Sequence, residues 1–345
     1  MLTLRPPVPT GDFEFETAFR RPNTDALIAL SAARRRATTA LVPVALHADA
    51  DAGTVQQALE RAHAYHRLWT EYWRQYLALP GACTTRLPVA WRWRIDVFAA
   101  DDGAPQVMPA ETIDPSPLVE TACATLAVIA TAQRLAALSH GDAAVALLDQ
   151  ASDMVQWLRA DVLPRFRPRV RPKHVHGREP YVMSDTVLAS IADALRAQKL
   201  CKVTMQRAVR NDDAPIVTAI QLFRAARHMQ TALAGVPAAG GLLRGHQRAA
   251  AGAYRFLAQA LMDTNAEWGG VAVACAKEAV HLTRGEAHVD VLAALKKRND
   301  LECGMQAVPR RAAVHVQFGD CDALRVDTEY DDEQRVTVHV PTPPQ

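Results

Sequence analysis

The chain has 345 residues, with 39 Lys and Arg set against 37 Asp and Glu, a formal net charge of +2. That balance excludes a bulk polyanion binder, so any anionic partner must be met at a local patch. With 49% hydrophobic residues the chain can bury a sizeable core, and six scattered cysteines with no C-x-x-C pair suit reduced thiols and a cytoplasmic setting and argue against zinc.

The opening MLTLRPPVPTGDFEFE has no apolar signal core, and residues 12–18 read as a short extended piece. A helix follows from the cap residues Asn23 and Thr24 through DALIALSAARRRATTALV. Over 53–79, Tyr65, Trp69, Tyr72 and Tyr76 form one stripe of a second helix, expected to be core rather than a ligand box. In PVAWRWRIDVF, Val89, Trp91, Trp93, Ile95 and Val97 alternate with Arg92, Arg94 and Asp96, the period of a half-buried strand. Alanine-rich helices are then expected over 114–139, 141–163, 182–208, 213–234, 243–264, 266–284 and 287–303. The stretch YRFLAQALMDTNAEWGGVAVACAKEAVHL is similar to one tetratricopeptide-like hairpin. The last stretch alternates again and predicts one or two strands around Asp331, Asp332 and Glu333. No run reaches the roughly 18 uninterrupted apolar residues of a membrane span, and PTPPQ at the end offers no cysteine for prenylation.

One segment stands apart in charge. In LPRFRPRVRPKHVHGREP, Arg165, Arg167, Arg169 and Arg171 recur every second residue and Lys173 follows, while prolines at 164, 168, 172 and 180 remove backbone donors and predict a loop. It is either a solvated connection or a contact for anionic lipid headgroups, each cation contributing about 1 kcal/mol at most. Phe166 alone lies within the run to stack on a base, so no nucleic-acid partner is expected.

Neither a GxxxxGK[ST] loop nor a G-x-S-x-G elbow occurs, and no catalytic residue, cofactor or small-molecule substrate is predicted. Glu60-Arg-Ala-His63 and Glu278-Ala-Val-His281 are both E-x-x-H on expected helices, the spacing used by di-iron carboxylate sites, with Glu120 the obvious further donor. The alternative is two solvated helix faces with local Glu-His pairing, which leaves no metal. His174 and His176 sit among cations that would repel a divalent ion.

Taken in order, several segments resemble the Bro domain of the Alix type over nearly the whole chain. HRLWTEYWRQYLAL with LPVAWRWRIDVF resembles that family's aromatic helix and F-x-W strand; LVETACATLAVIATAQRLAAL, QASDMVQWLRADVLPRF, ALRAQKLCKVTMQRAV and LKKRNDLECGMQAVP resemble successive helical motifs. The resemblance implies a mainly α fold: a curved solenoid of tetratricopeptide-like helix pairs, with a small β-sheet from terminal and N-proximal strands. It implies one domain over 1–345, divided into 1–112, a helical core over 113–304 and an extended 305–345, free-standing without the further domains of larger adaptors. It also implies a non-catalytic adaptor in endosomal sorting or membrane remodelling, at endosomal membranes, that binds the amphipathic C-terminal helix of an ESCRT-III subunit. The groove positions carry over to Thr204, Met205, Ile216 and Ile220. Thr204 stands where the family usually has an aromatic, Asp142 where a basic residue orients the partner, Ala127 where a buried Asn is usual, and Cys303 near a family tyrosine. A helical scaffold for an unrelated protein is the other reading.

Overall fold

The structure, a computed structural model, describes residues 4–10, 14–15, 24–47, 49–77, 91–94, 111–114, 117–166, 184–236, 240–285, 287–301, 306–310, 314–319, 321, 323–329 and 335–341. The chain divides into two compact units, one of Met1–Arg196 with Thr231–Leu242, the other of Ala197–Gln230 with Leu243–Gln345.

In the first unit, α1 (Thr24–Leu46), α2 (Ala52–Leu77), α3 (Pro117–Leu138) and α4 (Gly141–Trp157) pack each on the next. Of the stripe on α2, Tyr65 and Trp69 are buried and Tyr72 is half-buried against the same core, and Trp69 stacks on Trp73 at 6.1 Å between ring centres. Trp69 also leans on Phe15 at 5.8 Å. Tyr76 lies outside the described side chains. Strand β2 (Trp91–Arg94) is the middle of an antiparallel sheet between β1 (Val8–Pro9) and β3 (Glu111–Asp114), with Trp93 paired to Pro9 and Thr112. Val89, Ile95 and Val97 fall outside the described residues, as do Asn23 and most of the expected extended piece at 12–18.

Helix α3 is apolar or small almost all round, which suits a rod buried on every side. By length and hydropathy Val119–Leu138 could cross a bilayer, but 89% of its most apolar 18-residue window is buried, so it is a core helix of this fold. Its buried polar groups are matched. Trp69 Nε1 donates to Thr121 Oγ1 at 2.9 Å, the Leu4 amide donates to Gln133 Oε1 at 3.0 Å, and Arg134 donates to the carbonyls of Val44 and His47. Thr125 and Thr131 bond back to the carbonyls of Thr121 and Ala127.

Three sequence expectations are corrected here. Asp114 belongs to β3, so the helix expected from 114 starts at Pro117. The segment from 163 is not all loop: a π turn, Leu158–Val162, continues α4 into α5 (Leu163–Phe166), which contains Pro164. The wider turn, closed by the Leu163 amide on the Leu158 carbonyl, lies where the proline ring would otherwise press on the preceding turn. Third, the strands form two sheets, one in each unit, and the chain end supplies three strands instead of one or two.

The second unit takes the end of α6 (Asp185–Arg210), most of α7 (Pro215–Gly235) and α8 (Gly240–Thr264). A 3₁₀ turn (Ala266–Trp268) leads to α9 (Gly269–Leu282), on which α10 (Val289–Leu301) packs. Ala225, Ala226, Ala249 and Ala250 form a cluster with Ala197 and Met229, and small side chains here let backbones come close. A Cβ on Gly270 would lie 1.9 Å from the Ala307 carbonyl oxygen, so that position must be glycine. The second sheet is ordered β4 (Val314–Gly319), β6 (Arg335–Pro341), β5 (Arg325–Glu329), with β4 parallel and β5 antiparallel to β6. Val336, Val338 and Val340 alternate inward on β6 and share a core with Leu257, Leu261 and Ile220. Asp331, Asp332 and Glu333, between β5 and β6, lie outside the described residues.

Candidate functional site

Helix α6 ends in a Schellman turn. The Asp212 amide bonds the Arg207 carbonyl at 3.0 Å, the Asn211 amide bonds the Ala208 carbonyl at 3.2 Å, and Asn211 takes the left-handed φ of 56°. Asparagine is the residue after glycine that tolerates this backbone, so N-D-D-A-P stops one helix and Pro215 starts the next. The turn places a cleft of about 610 Å³, whose walls come from α6 (Met205, Val209), the turn itself (Asn211, Asp212, Asp213), α7 (Pro215, Thr218) and α8 (Arg255, Phe256, Gln259).

Two features of this cleft are uncommon on an ordinary surface. Met205 and Val209, four residues apart on one face of α6, are 39% and 79% exposed. Thr218 is 1% exposed and its Oγ1 has no hydrogen-bond partner among the described residues. A buried hydroxyl in that state is destabilising by roughly 1–3 kcal/mol unless something satisfies it. The Arg255 guanidinium lies over the Phe256 ring at 5.2 Å, and burial, with the Arg255 charge second, holds the His288 ring below the usual histidine range. Arg207 reaches Asp213 at 3.9 Å, a long and largely solvated ion pair.

The positions named from the sequence distribute as follows. Met205 lines the cleft. Ile216 is partly buried against the core of the second unit, and Ile220 is inside that core at 3% exposure. Thr204 points inward, at 2% exposure. Asp142 is exposed in the first turn of α4, in the first unit, where a carboxylate suits a helix N-terminus. Arg165 lies in α5 with its side chain outside the described residues, and Arg167, Arg169, Arg171, Lys173, His174 and His176 also lie outside them. Val209, Asp212, Asp213, Thr218 and Arg255 were not singled out by sequence reasoning. The N-D-D-A-P turn and a valine on the polar side of α6 are the signals that could have found them.

The proposed metal donors have other surroundings. Glu120 is fully buried and accepts from Arg34 Nε at 3.1 Å, from Tyr65 Oη and from Trp93 Nε1. Burial works against the Arg34 charge, but Glu120 and Tyr65 outweigh it and raise its pKa; burial and the Glu120 charge push the Tyr65 hydroxyl well above 10. Glu60 is exposed and accepts from Gln56 at 2.9 Å, and His63 meets Gln150 at 3.2 Å. Among the described residues no three His, Cys, Asp or Glu come together as a metal set would require. Two thiols are held protonated at neutral pH: burial lifts Cys201 to about 11, and burial with Glu278 lifts Cys275 to about 12.

The fold is that of the Bro1 domain. No family model matches the chain, and no curated protein matches it. Among solved structures it is similar to ALIX in complex with the SIVmac239 PYKEVTEDL late domain, with a TM-score of 0.64 and 16% identity over 90% of this chain and 46% of that one. It is similar to the ALIX BRO1–CHMP4C complex, with a TM-score of 0.59 and 17% identity over 90% of each chain. A Bro1 domain whose structure addresses endosomal targeting matches with a TM-score of 0.51 and 12% identity, over 90% of this chain and 89% of that one. The chain thus spans less than half of the first ALIX chain.

Proposed function

We propose that the protein is a non-catalytic adaptor of endosomal sorting that takes an amphipathic α-helix into the cleft at the α6–α7 turn, the partner being the C-terminal helix of an ESCRT-III subunit. The observation that carries this reading is the exposed pair Met205 and Val209 on the wall of a cleft whose other walls supply Pro215 and Phe256. A partner helix presenting apolar residues at i, i+3 and i+4 would cover that pair, the usual way a helix is held in a groove. One neighbour of the same fold is bound to CHMP4C, which supports a protein partner of that kind. In this reading Met205 touches the partner, Ile216 flanks the contact, and Thr204 and Ile220 set the positions of α6 and α7 from the interior.

The test is calorimetric titration with a peptide carrying the C-terminal helix of an ESCRT-III subunit. Met205→Asp with Val209→Asp is expected to weaken binding at least about tenfold while circular dichroism and thermal midpoint stay unchanged, since neither side chain belongs to the core. Ile216→Asp is a poorer probe because it also disturbs the core. Wild-type protein that leaves the peptide unbound at high micromolar concentration overturns the proposal. Contact of Arg165, Arg167, Arg169, Arg171 and Lys173 with anionic endosomal membrane completes the reading. Replacing all five by Gln is expected to reduce co-sedimentation with phosphatidylserine vesicles, and unchanged sedimentation removes the membrane contact.

A further inference from the structure

The cleft is apolar on α6 and polar at the α6–α7 turn, and this asymmetry says something about the occupant that its mere presence does not. Asp212 and Asp213 stand side by side on the turn, Asp212 exposed and the Asp213 side chain 19% exposed. They lie between the C-terminus of α6 and the N-terminus of α7, where the two helix dipoles oppose each other, so the negative charge there is that of the carboxylates themselves. Thr218, one turn into α7, lines the same cleft with its unpartnered, buried hydroxyl. Against these, α8 contributes one cation, Arg255, with its guanidinium over the Phe256 ring. The turn and the start of α7 therefore present two carboxylates, one of them in a long ion pair with Arg207, and a hydroxyl without a partner among the described residues, next to an apolar strip.

We infer that Asp212, Asp213 and Thr218 form a specificity element that selects a partner helix carrying Lys or Arg beside its apolar face. A Lys or Arg head placed there has carboxylates to pair with, and its N–H groups are donors that the Thr218 oxygen can accept. A partner with Glu at the same place meets two like charges, and a hydrogen bond that the Thr218 hydroxyl can donate to its carboxylate offsets only part of that repulsion. Charge thus sets the choice and register of the partner, while the apolar strip supplies affinity. The inference rests on the cleft being the helix-binding site, and the experiment separates the two.

The probe is the same ESCRT-III helix peptide in two versions, with Lys or with Glu at the two positions flanking its apolar face, titrated into the full chain at low and high salt. The Lys version is expected to bind about fivefold more tightly than the Glu version at low ionic strength, with the gap closing at high salt. Asp212→Asn with Asp213→Asn is expected to erase the gap, and Asp212→Lys with Asp213→Lys to reverse it. Thr218→Val, which keeps the shape, is expected to weaken the Lys version two- to threefold (roughly the lower range for one hydrogen bond). Equal binding of both versions, unmoved by the Asp substitutions but lost in Met205→Asp with Val209→Asp, overturns the specificity element and leaves the cleft. Binding of neither version overturns both.

Discussion

The two units solve the same problem, burying long helices against one another, with different side chains. The first uses large aromatics and buried charge: Trp69, Trp93 and Tyr65 are almost wholly inside, and Glu120 gathers hydrogen bonds from Arg34, Tyr65 and Trp93 on three other elements. The second uses smallness, with alanines of α7 and α8 facing each other and Gly270 almost touching the Ala307 carbonyl. A polar hub tolerates one geometry because every donor must meet its acceptor; close backbone approach tolerates one geometry because nothing larger fits. Uniqueness is enforced electrostatically in one unit and sterically in the other.

The sharpest way to break the first unit is at its hub. Glu120→Ala leaves the Arg34 guanidinium buried without its carboxylate, together with the Tyr65 hydroxyl and the Trp93 indole. The expected loss is about 3–5 kcal/mol in urea unfolding, with the fluorescence of Trp69 and Trp93 reporting the change. Glu120→Ala together with Arg34→Met should recover part of it, because no charge is then stranded.

The second unit should break by adding a single methyl. Gly270→Ala drives a Cβ into backbone at 1.9 Å and is expected to cost about 3 kcal/mol, whereas at Gly252 the nearest atom is Leu222 Cδ1 at 3.2 Å, a side-chain end that can move. Gly252→Ala should therefore change the thermal midpoint by little or raise it. Equal losses at the two sites would refute the steric account.

How much of this could be read in the sequence follows from the same contrast. Aromatic stripes are loud: the α2 stripe and the Trp91–Trp93 alternation located their elements because large apolar residues must be buried somewhere. Partners chosen over long distances are silent. Strand β1 has two residues, one a proline, and becomes a strand only by pairing with β2; β5 reads RVDTE, too charged to declare itself until β6 is beside it. Likewise Ile220, apolar and helical, is equally suited to a groove or a core, and only packing assigns it to the core. The unpartnered Thr218 hydroxyl has no sequence signature, since a threonine in a helix ordinarily bonds back to its own preceding turn.

A pH titration should separate the units more gently. The His66 ring, between α2 and α4 and edge-on to Trp157 at 5.9 Å, is held down to about 4 by burial and by His63. Its folded pKa lies below the unfolded 6.5, so the unfolded chain binds the extra proton first, and stability present above pH 6.5 is lost as pH falls towards 4. Discounting for the partial exposure of the ring, the loss is on the order of 2 kcal/mol. His66→Gln should flatten the acid limb of the first unit's unfolding curve, and an unchanged limb would assign acid sensitivity elsewhere.

The smallest effects should come from the helix ends, where the units also differ. The first unit enters α4 through Gly141 at φ 66°, which glycine adopts freely. In the second, Arg284 holds φ 53° at the end of α9, in a Schellman turn closed by Gly285 onto the Val280 carbonyl at 2.9 Å. An L-residue with a long side chain is strained there by about 1 kcal/mol, and glycine would remove the strain but widen the unfolded ensemble. Gly141→Ala should therefore destabilise by about 1 kcal/mol, and Arg284→Gly should stabilise by a few tenths, about half of the relief being lost to unfolded-state entropy. Differential scanning calorimetry on the two variants tests this directly: a destabilised Arg284→Gly would mean that the arginine side chain contributes more than its backbone strain takes away.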